Sequence, residues 1–149
     1  MRATLMLMMI LMQILGLASA AHAIESPVTP GKWQTTTTIV SMTMPDMPPG
    51  MMDSMRGKPM TTTMCITPAQ AAAGPRDVIG KTNGACRYRS FAAAAGRINA
   101  VMECKAGPGT QVIAISGRYS PVAYDIRSAM NGGPMRSETR TVGKRLGPC

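Results

Sequence analysis

The chain has 149 residues, with 16 Lys and Arg against 7 Asp and Glu, a formal net charge of +9, four Cys, 16 Met, one Trp and one Phe. That length suits a single hydrophobic core and is too short for two. The basic balance suits anionic lipid, lipopolysaccharide, acidic polymer or acidic protein as partners, beside the plainer reading of an ordinary solvated face with no specific partner.

Residues 1–23 read as a signal peptide. Arg2 supplies a short basic region, and Leu5 to Leu17 is an apolar run broken only by Gln13 and Gly16. Two small-x-small sites follow, Ala18-Ser19-Ala20 and Ala21-His22-Ala23. Cleavage after residue 20 or 23 leaves one domain, 24–149, in the periplasm or outside the cell. No later stretch reaches the roughly 18 to 20 apolar residues that span a bilayer, and nucleic acid is not expected as a partner there. An oxidising compartment also fits the cysteines. Cys65, Cys86, Cys104 and Cys149 are expected as two disulfides, each worth about 2 to 4 kcal/mol. The body they staple has only Trp33, Phe91, Tyr88, Tyr119 and Tyr124 as rings.

Pro27 to Gly31 is a turn-rich lead into Trp33–Ser41, where Thr and β-branched residues predict a strand with Trp33 as core anchor. Residues 42–60 form a Met- and Pro-rich segment punctuated by Pro45, Pro48, Pro49, Gly50, Gly57 and Pro59. It reads as a loop or lid with one or two helical turns near Met51 to Arg56. Met60 to Ile66 is extended again. Thr67-Pro68-Ala69-Gln70 carries the signature of a capping box with Pro at the first helical position, so a short helix is predicted from Pro68 to Ala73. Five candidate strands complete the chain: Gly84–Phe91, Arg97–Lys105, Gln111–Tyr119, Tyr124–Met130 and Met135–Leu146. In Gln111–Tyr119 both faces are fairly apolar, which suits a covered central strand. In Arg136–Val142 polar residues dominate, which suits an edge or solvated strand. Alternation places Arg87 and Arg89 outward with Cys86, Tyr88 and Ser90 inward. The predicted fold is mainly β: a single antiparallel sheet or partly closed barrel with one or two short helices and two disulfides.

Four cysteines allow three pairings. A hairpin centred near Ala94 and Ala95 sets Cys86 roughly opposite Cys104, within bridging reach, and leaves Cys65 for Cys149.

Several separated signatures then accumulate: Pro30-Gly31-Lys32-Trp33, Met44-Pro45 with its Met-rich continuation, Cys65-Ile66-Thr67-Pro68, Cys86, Cys104, and Gly143-Lys144-Arg145-Leu146-Gly147-Pro148-Cys149. In this order the chain resembles a family of small exported bacterial proteins, domain of unknown function 3617 (DUF3617), over essentially its whole exported length. The resemblance implies an exported, disulfide-bearing, mainly β domain and carries over no activity or catalytic residue. The departure is Met42–Met64, shorter and richer in Pro and Met than a regular helical insertion.

Catalysis is not expected. The lone histidine, His22, is removed by cleavage after Ala23, which leaves Ser-His and Cys-His systems without a base and zinc without imidazole. The cysteines lack Cys-x-x-Cys spacing, no Gly-rich phosphate loop opens a helix, and the acidic residues fall in no acid/base motif. No cofactor is expected, with one exception. Met42, Met44, Met47, Met51, Met52, Met55, Met60 and Met64 are half of the chain's 16 Met. Thioethers are soft ligands for Cu(I), and chemically similar Ag(I). A bend at Pro45 would converge Met42, Met44 and Met47, with Met51, Met52 and Met55 as a further set. Met equally fills irregular cores and lines adaptable apolar surfaces, so the chain reads first as a non-enzymatic binding or structural protein of the cell envelope, with the segment as a ligand or partner surface for a peptide, lipid or envelope protein.

Overall fold

A computed structural model describes residues 28–45, 48–79, 84–106, 109–132 and 135–149. The expected signal peptide, its cleavage sites and His22 lie outside the described residues, as do Asp46 and Met47. The elements are β1 (Gly31–Thr43), α1 (Pro49–Met55), β2 (Pro59–Ile66), α2 (Pro68–Ala72), α3 (Pro75–Ile79), β3 (Cys86–Ala94), β4 (Arg97–Ala106), β5 (Gly109–Ser120), β6 (Ala123–Asn131) and β7 (Arg136–Gly147).

The strands form one seven-stranded antiparallel sheet in the order β2-β1-β7-β6-β5-β4-β3. Its two edges, β2 and β3, are not joined, so the sheet stays open rather than closing into a barrel. β3 to β7 run as a meander, and β1 returns the start of the chain to the flank of β7. The expected strands all form, each longer by a residue or more at one end at least.

β2 and β3 are consecutive in sequence yet stand at opposite edges. Their connection must therefore cross the sheet, six inter-strand gaps or about 29 Å. It begins with the predicted helix. Thr67 caps Gln70 N–H at 3.2 Å, and the Gln70 side chain accepts from Thr67 N–H at 2.9 Å. α2 and α3 then lie against one face, hereafter the inner face. Ala71 and Val78 pack with Trp33, Ile66 and Tyr124, and the Arg76 guanidinium lies 5.0 Å from the Tyr88 ring centre and 6.0 Å from that of Phe91 on the far edge.

A second cluster fills the inner face of β4 to β6, with Ile98, Ala100, Met102, Ile115 and Ile126 buried. These are every second residue on their strands, so the alternate positions point to the outer face. Trp33 is 1% exposed, a core anchor as predicted, and its indole N–H donates to Thr29 O at 3.0 Å.

Both disulfides pair as expected, Cys86 with Cys104 and Cys65 with Cys149, with Cα–Cα distances of 3.9 and 5.9 Å. The route to the first differs in detail. The turn sits at Ala95-Gly96, not one residue earlier, and both residues have positive φ, 50° and 70°, as a two-residue mirror-image turn requires. From Ala94↔Arg97 that register alone would set Cys86 against Lys105. A bulge at Arg89 absorbs one residue and restores Cys86↔Cys104. The bulge also corrects the inward set on β3: Ser90 is exposed and Phe91, not Ser90, turns into the core.

β7, read from its polar composition as an edge or a solvated strand, is the solvated kind: it lies between β1 and β6, with its outer face in water. Its outer-face charges are solvated, while its inner positions Thr139, Thr141 and Gly143 are small enough to lie beneath larger neighbours. A polar strand thus reports a wet outer face, not a missing neighbour.

Candidate functional site

Between the inner face and the α2–α3 connection lies a cavity of about 370 Å³. Trp33 and Thr35 of β1, Met64 of β2, Tyr124 and Ile126 of β6, and Thr141 of β7 form one side. Ile113, Ile115 and Met102 extend the floor across β5 and β4, and Val78 of α3 contributes from the connection. The volume falls within the roughly 300 to 1,000 Å³ of small-molecule sites, and an apolar wall with a few convergent hydroxyls is their usual chemistry.

Tyr124 organises this wall. Its ring stacks on Trp33, centroids 5.8 Å apart and planes 19° from parallel. Its hydroxyl shares a 2.8 Å hydrogen bond with that of Thr35. The ring lies over Gly143, its cross-strand partner, where any Cβ would fall inside the ring. Next to it the Thr37 and Thr141 hydroxyls bond at 3.1 Å. The wall is thereby held rigidly, with its hydroxyls engaged by one another.

The outer face is different in kind. Glu103 takes Arg89, and Arg87 at 3.2 Å; Arg127 meets Glu138 at 3.1 Å; Arg140 grips Asp125 through two bonds of 2.9 and 2.6 Å. The hydrogen bond from Arg89 holds the Glu103 carboxyl below its usual range, aided by Arg87. Arg140 does the same to Asp125. These three carboxylates are committed to arginines, not to one another. Among the described residues no group of three His, Cys, Asp or Glu is placed to hold a metal ion.

The methionines divide between places. Met42 is half-buried on β1 opposite Ser137, and Met44 is half-buried just beyond the strand. Met51 and Met55 stand on α1, 54% and 42% exposed; Met47 and the side chain of Met52 lie outside the described residues. Gly57 N–H donates to Ile39 O at 3.0 Å, which ties the segment to the later half of β1. Met64 is opposite Trp33, nine residues from Met42 along the strand, or roughly 30 Å. Met64 therefore serves the cavity and cannot share a ligand with Met42. Among the described residues the cavity's cover comes from the α2–α3 connection, not from the expected lid at 42–60.

Sequence reasoning named Trp33 and Met64 but missed Tyr124, Ile126, Thr141 and Val78. The cavity draws on six strands and a helix, so no contiguous motif exists. The one local trace is the alternation of Ile113 with Ile115 and Tyr124 with Ile126.

Among the described residues no helix is long and apolar enough to cross a membrane. A model of the DUF3617 family, described as a protein of unknown function, matches residues 28–149. The chain belongs to that family. Neither the curated proteins nor the solved structures give a match.

Proposed function

We propose that the protein is an exported, non-enzymatic binding protein of the cell envelope that holds an apolar small molecule in the inner-face cavity. The observation that carries this reading is the 370 Å³ apolar space between the sheet and its helical connection. Its rings are braced by stacking and hydroxyl pairing, so the space is formed before a ligand arrives. The leader pattern of residues 1–23 and the two disulfides support export. Commitment of Glu103, Asp125 and Glu138 to arginines supports a binding role over acid/base work.

Trp33 is the chain's one Trp and lines the cavity, so its emission reports occupancy. Titration of the oxidised protein with a medium-chain fatty acid should shift that emission saturably at one site. Ile113→Phe narrows the cavity and should weaken the apparent affinity about tenfold, the effect of losing roughly 1.4 kcal/mol. No saturable shift, or equal affinity in the variant, would remove the cavity as the binding site.

A second reading, Cu(I) or Ag(I) capture by thioethers, draws on the exposure of Met51 and Met55 while all four cysteines are locked in disulfides. It predicts stoichiometric Cu(I) binding against a competitor chelator under anaerobic conditions, lost when Met44, Met47 and Met51 are changed together to Leu. Weak binding, equal in both proteins, would end it.

A further inference from the structure

We infer that the outer face of β4 to β7 docks on an anionic phospholipid bilayer. The inference is independent of the cavity, which lies on the opposite face.

Three observations carry it. First, the excess positive charge is concentrated on the outer face. Alternation places Arg97, Arg118, Arg127, Arg140 and Lys144 together on the outer face, all exposed. Asp125 and Glu138 neutralise Arg140 and Arg127. Among the described residues no ion pair engages Arg97, Arg118 or Lys144.

Second, Arg97 and Arg118 face each other directly across β4 and β5. Like charges at facing positions oppose pairing. A phosphate oxygen between the two guanidiniums would relieve that repulsion with charge-assisted hydrogen bonds.

Third, the cations border aliphatic side chains that point into water. Val122, at the β5–β6 turn, is 51% exposed and Val142 is 41% exposed. With Ala123 they line a hollow of about 510 Å³ whose border includes Arg118, Lys144 and Asp125, which faces Arg118 across β5 and β6 and is held by Arg140. A soluble polyanion would satisfy the cations and leave these valines wet. A bilayer satisfies both, phosphates to the cations and the acyl boundary to the valines, as interfacial amphipathic surfaces do.

The test is co-sedimentation of the oxidised protein with vesicles of phosphatidylcholine alone or with about one-third phosphatidylglycerol, at low and high salt. Binding should need the anionic lipid and fall at high salt. Each cation near an anionic surface is worth roughly fivefold in partitioning, so Arg118→Ser with Lys144→Ser should lower binding about thirtyfold. Val122→Ser with Val142→Ser should also weaken vesicle binding while leaving retention of soluble polyphosphate and a DNA oligonucleotide unchanged. All four positions are exposed, and unchanged Trp33 emission would confirm folded variants. Equal binding to neutral and anionic vesicles, or no binding to either, overturns the inference. So does binding indifferent to the valines, which would identify a soluble-polyanion surface.

Discussion

Gly143→Ala tests the architecture at the point where fold and cavity meet. On a central strand Ala is ordinarily better than Gly by roughly 0.5 to 1 kcal/mol, because Gly surrenders more freedom on folding. Here the new methyl would occupy the Tyr124 ring, so the ring must leave. Displacement forfeits the stack on Trp33, worth about 0.5 to 1.5 kcal/mol, and the Thr35 hydroxyl bond, worth about 1 kcal/mol. The repacking adds strain of about 1 to 3 kcal/mol. A net loss of about 2 to 4 kcal/mol follows, read as a lower urea midpoint by Trp33 fluorescence and circular dichroism. The decisive control is Tyr124→Ala. In that background Gly143→Ala should cost nothing or stabilise slightly, so the double-mutant cycle gives a coupling of about 2 kcal/mol or more. If Gly143→Ala destabilises equally with and without the ring, the steric account is wrong and the glycine serves the backbone alone.

Ala95 holds φ 50° at the β3–β4 turn, a conformation costing an L-residue with a Cβ about 1 kcal/mol; Ala95→Asn or Ala95→Gly should raise the urea midpoint by about 0.5 to 1 kcal/mol equivalent. The disulfides span 84 and 18 residues. The chain-entropy relation therefore predicts a loss of about 4.6 kcal/mol for Cys65→Ala with Cys149→Ala, and about 3.2 for Cys86→Ala with Cys104→Ala; the reverse order in denaturant titrations would contradict it. Acid should destabilise the fold through Asp125 and Glu103. Their folded carboxyls sit below the usual range because of Arg140 and Arg89. The unfolded chain thus takes protons first, and the stability they contribute is full above about pH 5 and drains as pH falls through their lowered values. Asp125→Asn should flatten that acid limb in urea midpoints measured from neutral pH downward, while an unchanged limb would mean the ion pair contributes nothing.

Much of the local structure is written in short-range chemistry. The Thr67-Pro68-Ala69-Gln70 cap forms as read, because its partners lie within one turn of each other. Strand positions follow from β-branched runs and the turns that separate them, and Trp33 is buried as its neighbourhood suggests. The disulfide pairing also emerged from a local hairpin, although it needed an unforeseen bulge at Arg89 to remove the one-residue offset that the Ala95-Gly96 turn leaves between Cys86 and Cys104. Neighbour relations are another matter. β7 reads from its own composition as an edge or a solvated strand, and only the arrival of β1 from more than 90 residues away in the chain decides between them. Alternation reports which side of a strand is wet and is blind to what lies beside it. The cavity has the same origin. Trp33 and Tyr124 meet because β7 lies between β1 and β6, and Val78 reaches them because β2 and β3 stand at opposite edges, which forces the intervening helices across the inner face. Contacts between residues close in sequence are selected by local propensity. Those between distant ones are selected by the collective burial of apolar surface, which no single segment encodes.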